Sequence, residues 1–149
     1  VWNRRAQLGL DVLKADSRVD ADNLAVMGSS FGGKTAVQMA FAGHDIKAAV
    51  CIASSKLELP AKNVKSIKPK ILVFYGGDDK WTPPEKISGF MQSLASTEAD
   101  WQIVVYSGTR HSFTNPAADT RGMDNLGYNE QSAGRAWAAI MALFDEVFR

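Results

Sequence analysis

The segment Gly28-Ser29-Ser30-Phe31-Gly32 constrains this chain most, because of what flanks it. Leu24–Met27, immediately before it, is a short apolar run that predicts a buried strand. Lys34–Ala40, just after it, predicts a helix that is closed by Gly43. A strand and a helix separated by so few residues require a very tight turn. The chain therefore contains a strand–turn–helix unit with Ser30 at the bend.

A Gly-x-Ser-x-Gly turn in this setting is typical of a nucleophile elbow. The central residue of such a turn is held in a strained backbone conformation. We expect Gly28 and Gly32 to be required, because a β-carbon at either place would collide across the bend. The turn presents the Ser30 hydroxyl above the first backbone N–H groups of the helix, where negative charge is stabilised. We therefore predict Ser30 as a nucleophile and the N–H of Phe31 as an oxyanion donor.

Apolar runs and helical patterns alternate along the rest of the chain. Four strands are predicted, at Leu24–Met27, Ile46–Ala53, Ile71–Tyr75 and Trp101–Tyr106. Helices are predicted over Val1–Ala15, after Ser30, from Pro83-Pro84 to about Leu94, and over Ala133–Phe148, with irregular stretches at Ser54–Lys70 and Ser107–Tyr128. Strands that alternate with helices predict an α/β fold with a parallel sheet and right-handed crossovers.

Two further chemical groups follow strands of this predicted sheet. Asp79 follows the third strand and His111 the fourth, so the chain order is Ser, Asp, His. The carboxyl ends of parallel strands share one edge of a sheet, and we expect these side chains to meet there. A serine needs an imidazole to take its proton, and the imidazole needs a carboxylate to fix its tautomer. This is the order of an α/β-hydrolase triad.

Alternatives exist for the base and the acid. His44 is the second of two histidines, but it stands at a helix end and is expected to be solvated. Asp78 is adjacent to Asp79, and either carboxylate can instead cap the turn. The spacing from Gly76 favours Asp79 as the acid.

Composition excludes several other classes of function. The chain has 149 residues, a net charge of +1 and one cysteine, Cys51. It carries no basic cluster for nucleic acid and no apolar stretch long enough to cross a membrane. One cysteine permits no internal disulfide, and Cys51 is expected in the core. No histidine or carboxylate spacing predicts a metal site, and no glycine-rich dinucleotide motif follows a strand. No targeting segment is visible, so the expected location is cytoplasmic, although the chain begins at Val1.

Several motifs together resemble the dienelactone hydrolase family. They are the elbow with its extra glycine, Ser30-Phe31-Gly32-Gly33, the segment Gly76–Pro84, and the tail from His111-Ser112-Phe113-Thr114-Asn115-Pro116 through Ala118-Asp119 and Arg121-Gly122 to Tyr128-Asn129-Glu130. The resemblance covers nearly the whole chain. It implies an α/β-hydrolase that cleaves small esters or lactones through a covalent acyl-enzyme, without metal or organic cofactor. Trp81, Asn115 and Arg121 are candidates for the substrate pocket.

The chain departs from that family in two ways. Members commonly carry a cysteine nucleophile in Gly-Tyr-Cys-Phe-Gly-Gly, where this chain has Gly28-Ser29-Ser30-Phe31-Gly32-Gly33. The departure favours a general carboxylesterase over a dienelactone hydrolase. An α/β-hydrolase also has strands before the elbow, and a loop there donates the second oxyanion N–H. We therefore expect residues 1–149 to be the C-terminal portion of one hydrolase domain. Alone, we expect it to self-associate through its uncovered sheet edge and to be nearly inactive.

Two other functions remain open at this stage. The same fold can cleave a peptide or a sugar ester, and it can serve as a non-catalytic binding protein. A non-catalytic role is disfavoured, because an inert relative should have lost one of Ser30, Asp79 and His111.

Overall fold

The computed structural model describes residues 2–59 and 66–149. Over these ranges the elements are α1 (Trp2–Ala15), β1 (Ala25–Ser29), α2 (Phe31–Phe41), β2 (Ala48–Ile52), β3 (Lys70–Gly76), α3 (Pro84–Ala95), β4 (Trp101–Tyr106), a 3₁₀ helix (Pro116–Arg121) and α4 (Glu130–Val147). Val1 of the predicted first helix and residues 60–65 of the predicted loop lie outside the described residues.

The four strands form one parallel sheet in the order β1-β2-β3-β4. Ser29 pairs with Ile52, Ile52 with Phe74, and Gly76 with Tyr106. The register therefore aligns the carboxyl ends of all four strands along one edge. The α/β prediction is confirmed. Within the described residues, β1 pairs only with β2 and so forms one margin of the sheet.

Alternate residues of the central strands supply two separate cores. Cys51, Val73 and Tyr75 face a core that also receives side chains from α1, α2 and α3. Ile52 and Phe74 face the opposite core, which includes Ala136 and Ile140 of α4. Every residue of β2 is buried, as expected for a strand covered on both faces.

Cys51 behaves as a core residue, as predicted. Its side chain is fully buried, and burial raises the pKa of the Cys51 thiol to about 12. The thiolate is the nucleophilic form of cysteine. Cys51 therefore stays protonated near neutral pH and is not a nucleophile.

Several boundaries differ from the sequence prediction by one to three residues, including those of β2 (predicted Ile46–Ala53) and α4 (predicted Ala133–Phe148). β1 continues past Met27 to Ser29, because Gly28 and Ser29 keep the parallel pairing with β2 up to the bend itself. The stretch Ser107–Tyr128, predicted as irregular, contains the 3₁₀ helix. Asn115 caps that helix by accepting a hydrogen bond from the N–H of Ala117, and it is followed by a proline suited to a first helical position.

Two findings bear on ligands and membranes. Among the described residues, no helix combines the length and apolar character that crossing a bilayer demands. In those same ranges, no group of three or more His, Cys, Asp and Glu side chains is arranged to hold a metal ion.

Candidate active site

Ser30 occupies a strained turn that is anchored on both sides. Its φ of 51° and ψ of −114° are unusual for a residue with a β-carbon. The Ser30 N–H donates to the carbonyl oxygen of Ile52 at 2.8 Å, which extends the strand pairing by one residue. The Ser30 carbonyl accepts from the N–H of Lys34 at 3.1 Å, which begins the helical pattern. The strained residue is thus fixed by β2 before it and by α2 after it.

Two glycines make this bend possible, and one of them differs from the prediction. A β-carbon on Gly28 would lie 2.3 Å from the carbonyl carbon of Gly32, so the requirement for Gly28 is confirmed. A β-carbon on Gly32 would meet nothing within 4 Å in the described part of the chain, so the predicted collision there is wrong. The second collision falls one residue later. A β-carbon on Gly33 would lie 2.6 Å from the sulfur of Cys51, because α2 packs closely on β2 at that point.

His111 connects Ser30 and Asp79. Its Nε2 lies 3.1 Å from the Oγ of Ser30, and its Nδ1 lies 2.7 Å from the Oδ2 of Asp79. His111 and Asp79 are only 2% and 3% exposed. An ionised carboxylate can only accept, so Nδ1 carries the proton and Nε2 is left to accept from the Ser30 hydroxyl. His44, just beyond α2, makes no hydrogen bond to these three residues.

Asp79 and Asp78 have different environments although they are adjacent. Asp78 is exposed, and its backbone N–H donates to the carbonyl of Thr109 at 2.9 Å. Asp79 is buried, and burial alone would raise the pKa of its carboxyl group. Hydrogen bonds from His111, Asn125 and the N–H of Trp81 outweigh this effect and hold the pKa of Asp79 below its usual value. Asp79 is therefore ionised at neutral pH.

Asn125 also contacts Asp79, and the sequence did not reveal it. Its Nδ2 donates to the Oδ1 of Asp79 at 2.9 Å. Asn125 lies in a stretch without apolar periodicity, and 46 residues separate it from Asp79. The local sequence therefore carries no signal for this pairing.

The candidate pocket residues lie at different distances from this cluster. The ring centroid of Trp81 is 4.7 Å from that of His111, with an interplanar angle of 65°, so the indole covers one side of the imidazole. Asn115 caps the 3₁₀ helix and Arg121 ends it. Neither forms a hydrogen bond with Ser30, Asp79 or His111. Phe31 begins α2 directly after Ser30, and its side chain is exposed.

Two cavities lie near the carboxyl edge of the sheet. A cavity of about 840 Å³ lies against α2 and α3, with Lys34, Thr82 and Phe90 in its lining, and it does not include the three clustered residues. A smaller groove of about 410 Å³ is mostly apolar. It is lined by Gly28 and Ser29, which precede Ser30, and by Thr114 from the His111 loop. The smaller groove is not lined by Ser30, Asp79 or His111 either, but it includes Ser29, the sequence neighbour of Ser30.

The chain is similar to known proteins in sequence and in fold. A model of the dienelactone hydrolase family matches residues 2–148. The chain belongs to the dienelactone hydrolase family. It superposes with a TM-score of 0.92 on a dienelactone hydrolase-like promiscuous phosphotriesterase from metagenomic libraries, at 34% identity, covering 98% of this chain and 61% of that one. A structure described as m3DLH gives the same TM-score and coverage at 38% identity.

Other relatives define the fold and the extent of the match. At 18% identity and a TM-score of 0.77, an α/β-hydrolase enzyme from a deep-sea metagenome library shows the same fold. A relative from Salmonella typhimurium (strain LT2), provisionally named carboxymethylenebutenolidase, is 30% identical over 135 residues, which is 84% of this chain and 47% of that protein. This chain, a member of the dienelactone hydrolase family, thus has the α/β-hydrolase fold. It spans about half the length of the bacterial curated relatives it matches.

Proposed function

We propose that this protein hydrolyses small carboxylic esters or lactones through an acyl intermediate on Ser30. The observation that carries the proposal is the continuous hydrogen-bonded chain from the Ser30 hydroxyl through His111 to Asp79. A serine hydroxyl is a poor nucleophile unless a neighbouring base removes its proton. The proposal is supported by the burial of His111, by its 2.7 Å contact with the Asp79 carboxylate through Nδ1, and by the position of Nε2 beside the Ser30 hydroxyl.

The first half of the reaction acylates Ser30. The Oγ of Ser30 attacks the acyl carbon of the substrate while its proton passes to Nε2 of His111. Asp79 stabilises the imidazolium that forms. The negative charge on the former carbonyl oxygen is stabilised at the N-terminus of α2, where we assign the N–H of Phe31 as a donor. His111 then returns the proton to the leaving oxygen, the bond from the acyl carbon to that oxygen breaks, and an acyl-serine remains.

The second half releases the acid. A water molecule attacks the acyl carbon, and His111 takes one of its protons. Collapse of the second tetrahedral intermediate breaks the bond to the Oγ of Ser30, which recovers its proton from His111. For a lactone, the alcohol and the acid stay on one product molecule. Trp81 would both shield the imidazole and form one wall beside the acyl group.

The test is hydrolysis of p-nitrophenyl acetate and a small lactone by the full-length protein, with labelling by a fluorophosphonate probe. We expect Ser30→Ala to lower turnover by roughly 10⁴-fold or more and to abolish labelling. Ser29→Ala is the matched control, because it removes a neighbouring serine that is not part of the hydrogen-bonded chain, and it should keep both. Equal labelling of the wild type and Ser30→Ala would refute the assignment. A folded wild type that neither labels nor hydrolyses esters would favour the non-catalytic alternative.

A second candidate reaction is hydrolysis of phosphotriesters. It is favoured by the similarity to the dienelactone hydrolase-like promiscuous phosphotriesterase, at 34% identity and a TM-score of 0.92. In this reaction the Oγ of Ser30 would displace an alkoxide from phosphorus, and water would then release the phosphodiester. Release of one equivalent of nitrophenol from a nitrophenyl phosphotriester, without turnover, would limit the protein to carboxylic substrates. Continued release of nitrophenol would establish phosphotriester hydrolysis. Assays with peptides and with sugar esters would test the remaining acyl substrates.

A further inference from the structure

Asn125 is tied by three hydrogen bonds to the two loops that carry Asp79 and His111. Its Nδ2 donates to the Oδ1 of Asp79 at 2.9 Å, and its Oδ1 accepts from the backbone N–H of Lys80 at 2.8 Å. Its backbone carbonyl accepts from the N–H of His111 at 2.9 Å. The residue is only 8% exposed. One residue therefore connects the loop after β3 to the loop after β4.

The two carboxylate oxygens of Asp79 accept hydrogen bonds from different donors. Oδ2 faces His111, with the hydroxyl of Thr82 more distant at 3.4 Å. Oδ1 accepts from Asn125 and from the N–H of Trp81 at 3.0 Å. Since a carboxylate rotates about its bond to the β-carbon, donors on Oδ1 decide whether Oδ2 points at the imidazole.

The two donors on Oδ1 are not equivalent. Trp81 is two residues from Asp79 and belongs to the same loop, so its N–H moves with that loop. Asn125 is 46 residues away and is bonded to His111 through its own backbone. Of these two donors, Asn125 is therefore the one that ties the carboxylate directly to the backbone of the histidine. The parallel bridge between His111 and Leu126, and the bond from the N–H of Gly127 to the His111 carbonyl at 3.1 Å, hold that backbone in place.

We propose that Asn125 is a positioning residue, which holds Oδ2 of Asp79 against Nδ1 of His111 and so keeps His111 in the tautomer that accepts a proton from Ser30. The kinetic part of this proposal rests on the proposed ester hydrolysis, whereas the tautomer does not depend on it. Asn125 acts through Asp79 and does not contact the Ser30 hydroxyl.

The first test is ¹⁵N NMR of histidine-labelled protein, in the range of pH where His111 is neutral. The chain has only two histidines, and His44→Ala assigns the signals of the other. We expect the Nδ1–H form of His111 to predominate in the wild type. In Asn125→Ala we expect the Nε2–H form to become the major one, because Oδ2 no longer has a fixed position. Asn125→Leu has nearly the same size and removes the donor to Asp79 without placing a second carboxyl group beside it. It should show the same change even if the alanine variant folds poorly.

Asn129→Ala is the matched control. Asn129 caps α4, since its Oδ1 accepts from the N–H of Ser132 at 2.9 Å, and its Nδ2 donates to the carbonyl of Gly108 at 3.4 Å. Its loss should lower the melting temperature without changing the His111 tautomer. An unchanged tautomer in both Asn125 variants would overturn the proposal whatever the ester assays give, and so would an Nε2–H form in the wild type.

The second test is a double-mutant cycle on ester turnover. We expect Asn125→Ala to lower kcat about 10- to 100-fold, with KM changed less than about threefold, because positioning affects the reaction more than binding. In the Asp79→Ala background the same substitution should change kcat less than about twofold. A purely structural role would give the same loss in both backgrounds and would contradict the proposal. Absence of ester turnover in the full-length wild type would refute the proposed function and leave the tautomer result to decide on Asn125.

Discussion

The cluster around Asp79 is buried and hydrogen-bonded, whereas the groove beside β1 is lined by exposed apolar side chains. In the cluster, both carboxylate oxygens of Asp79 are hydrogen-bonded, and His111 is almost inaccessible. In the groove, which we call the β1–α4 face, Met27 and Trp137 are 43% and 56% exposed. Within the described residues, the hydrogen-bonded cluster is thus buried, whereas the apolar groove beside it is exposed. The cluster is therefore ordered although the neighbouring groove is open.

The largest expected effect comes from disrupting the ordered cluster. Asp79→Asn should lower kcat/KM for a p-nitrophenyl ester by roughly 10⁴-fold, because an amide at this position no longer selects the correct tautomer of His111. Asp78→Asn is the matched control at the adjacent position, and it should stay within about threefold of the wild type, since Asp78 is exposed. Steady-state kinetics on both variants checks this. Greater damage from Asp78→Asn would show that the acid is assigned to the wrong residue.

The next effect concerns the bend that places Ser30 between the two regions. Gly28→Ala should destabilise the fold by about 3 kcal/mol, because its β-carbon would overlap backbone atoms that cannot move away. Gly32→Ala should be close to neutral, or up to about 1 kcal/mol stabilising, because alanine favours a helix. Chemical denaturation of the two variants measures the difference. Equal losses of stability in the two variants would contradict the collision that we expect for a β-carbon at Gly28 alone.

A third prediction tests whether the β1–α4 face is used for self-association, as we propose for the exposed margin of the sheet. If a second copy covers this face, Trp137→Lys should weaken the association roughly 10- to 100-fold, which corresponds to the loss of one buried large side chain. Val12→Lys is a suitable control, because Val12 is exposed on α1, away from the groove. Sedimentation equilibrium over a range of concentrations measures both. A wild type that is monomeric throughout would refute the proposal.

The smallest expected effect is a change in acid stability. Because the pKa of Asp79 is lowered in the folded protein, its ionised form stabilises the fold above the unfolded-state pKa of about 4. That contribution is lost as the pH falls through the lower, folded-state value. The free energy of unfolding of Asp79→Asn should therefore decline less steeply with acidification than that of the wild type. Urea titrations below pH 5 measure the slopes, and parallel curves would contradict the lowered pKa.

Much of the fold could be predicted because local patterns determine it. The strand Trp101–Tyr106 has the predicted bounds, since its apolar run is bordered by residues that stop a strand. The end of β1 could not be predicted, because Gly28 and Ser29 are poor strand formers that are held in the sheet by pairing with β2. The tertiary partner determines the structure at that point.

In the site, too, local sequence predicts some features, whereas contacts between distant residues determine others. The spacing from Gly76 led to Asp79 as the acid, and the structure places that residue, and not Asp78, beside His111. The catalytic roles remain predictions. The requirement at Gly33 depends on the sulfur of Cys51 in a neighbouring strand. The contact of Asn125 with Asp79 depends on two loops that are distant in sequence. Neither contact leaves a periodicity or a motif in the chain.

The long sequence separations within the cluster have a consequence for the order of folding. The bond between Ser30 and His111 closes a span of 81 residues, and those from His111 and Asn125 to Asp79 close spans of 32 and 46 residues. Contacts this distant along the chain carry a loop-closure entropy cost before they contribute any stability, and they slow folding. Helices and adjacent strand pairs should therefore form before the cluster does. A probe that reacts only with an activated Ser30 would then report the last step of folding, and during synthesis no nucleophile would be activated until the chain beyond His111 had emerged and docked.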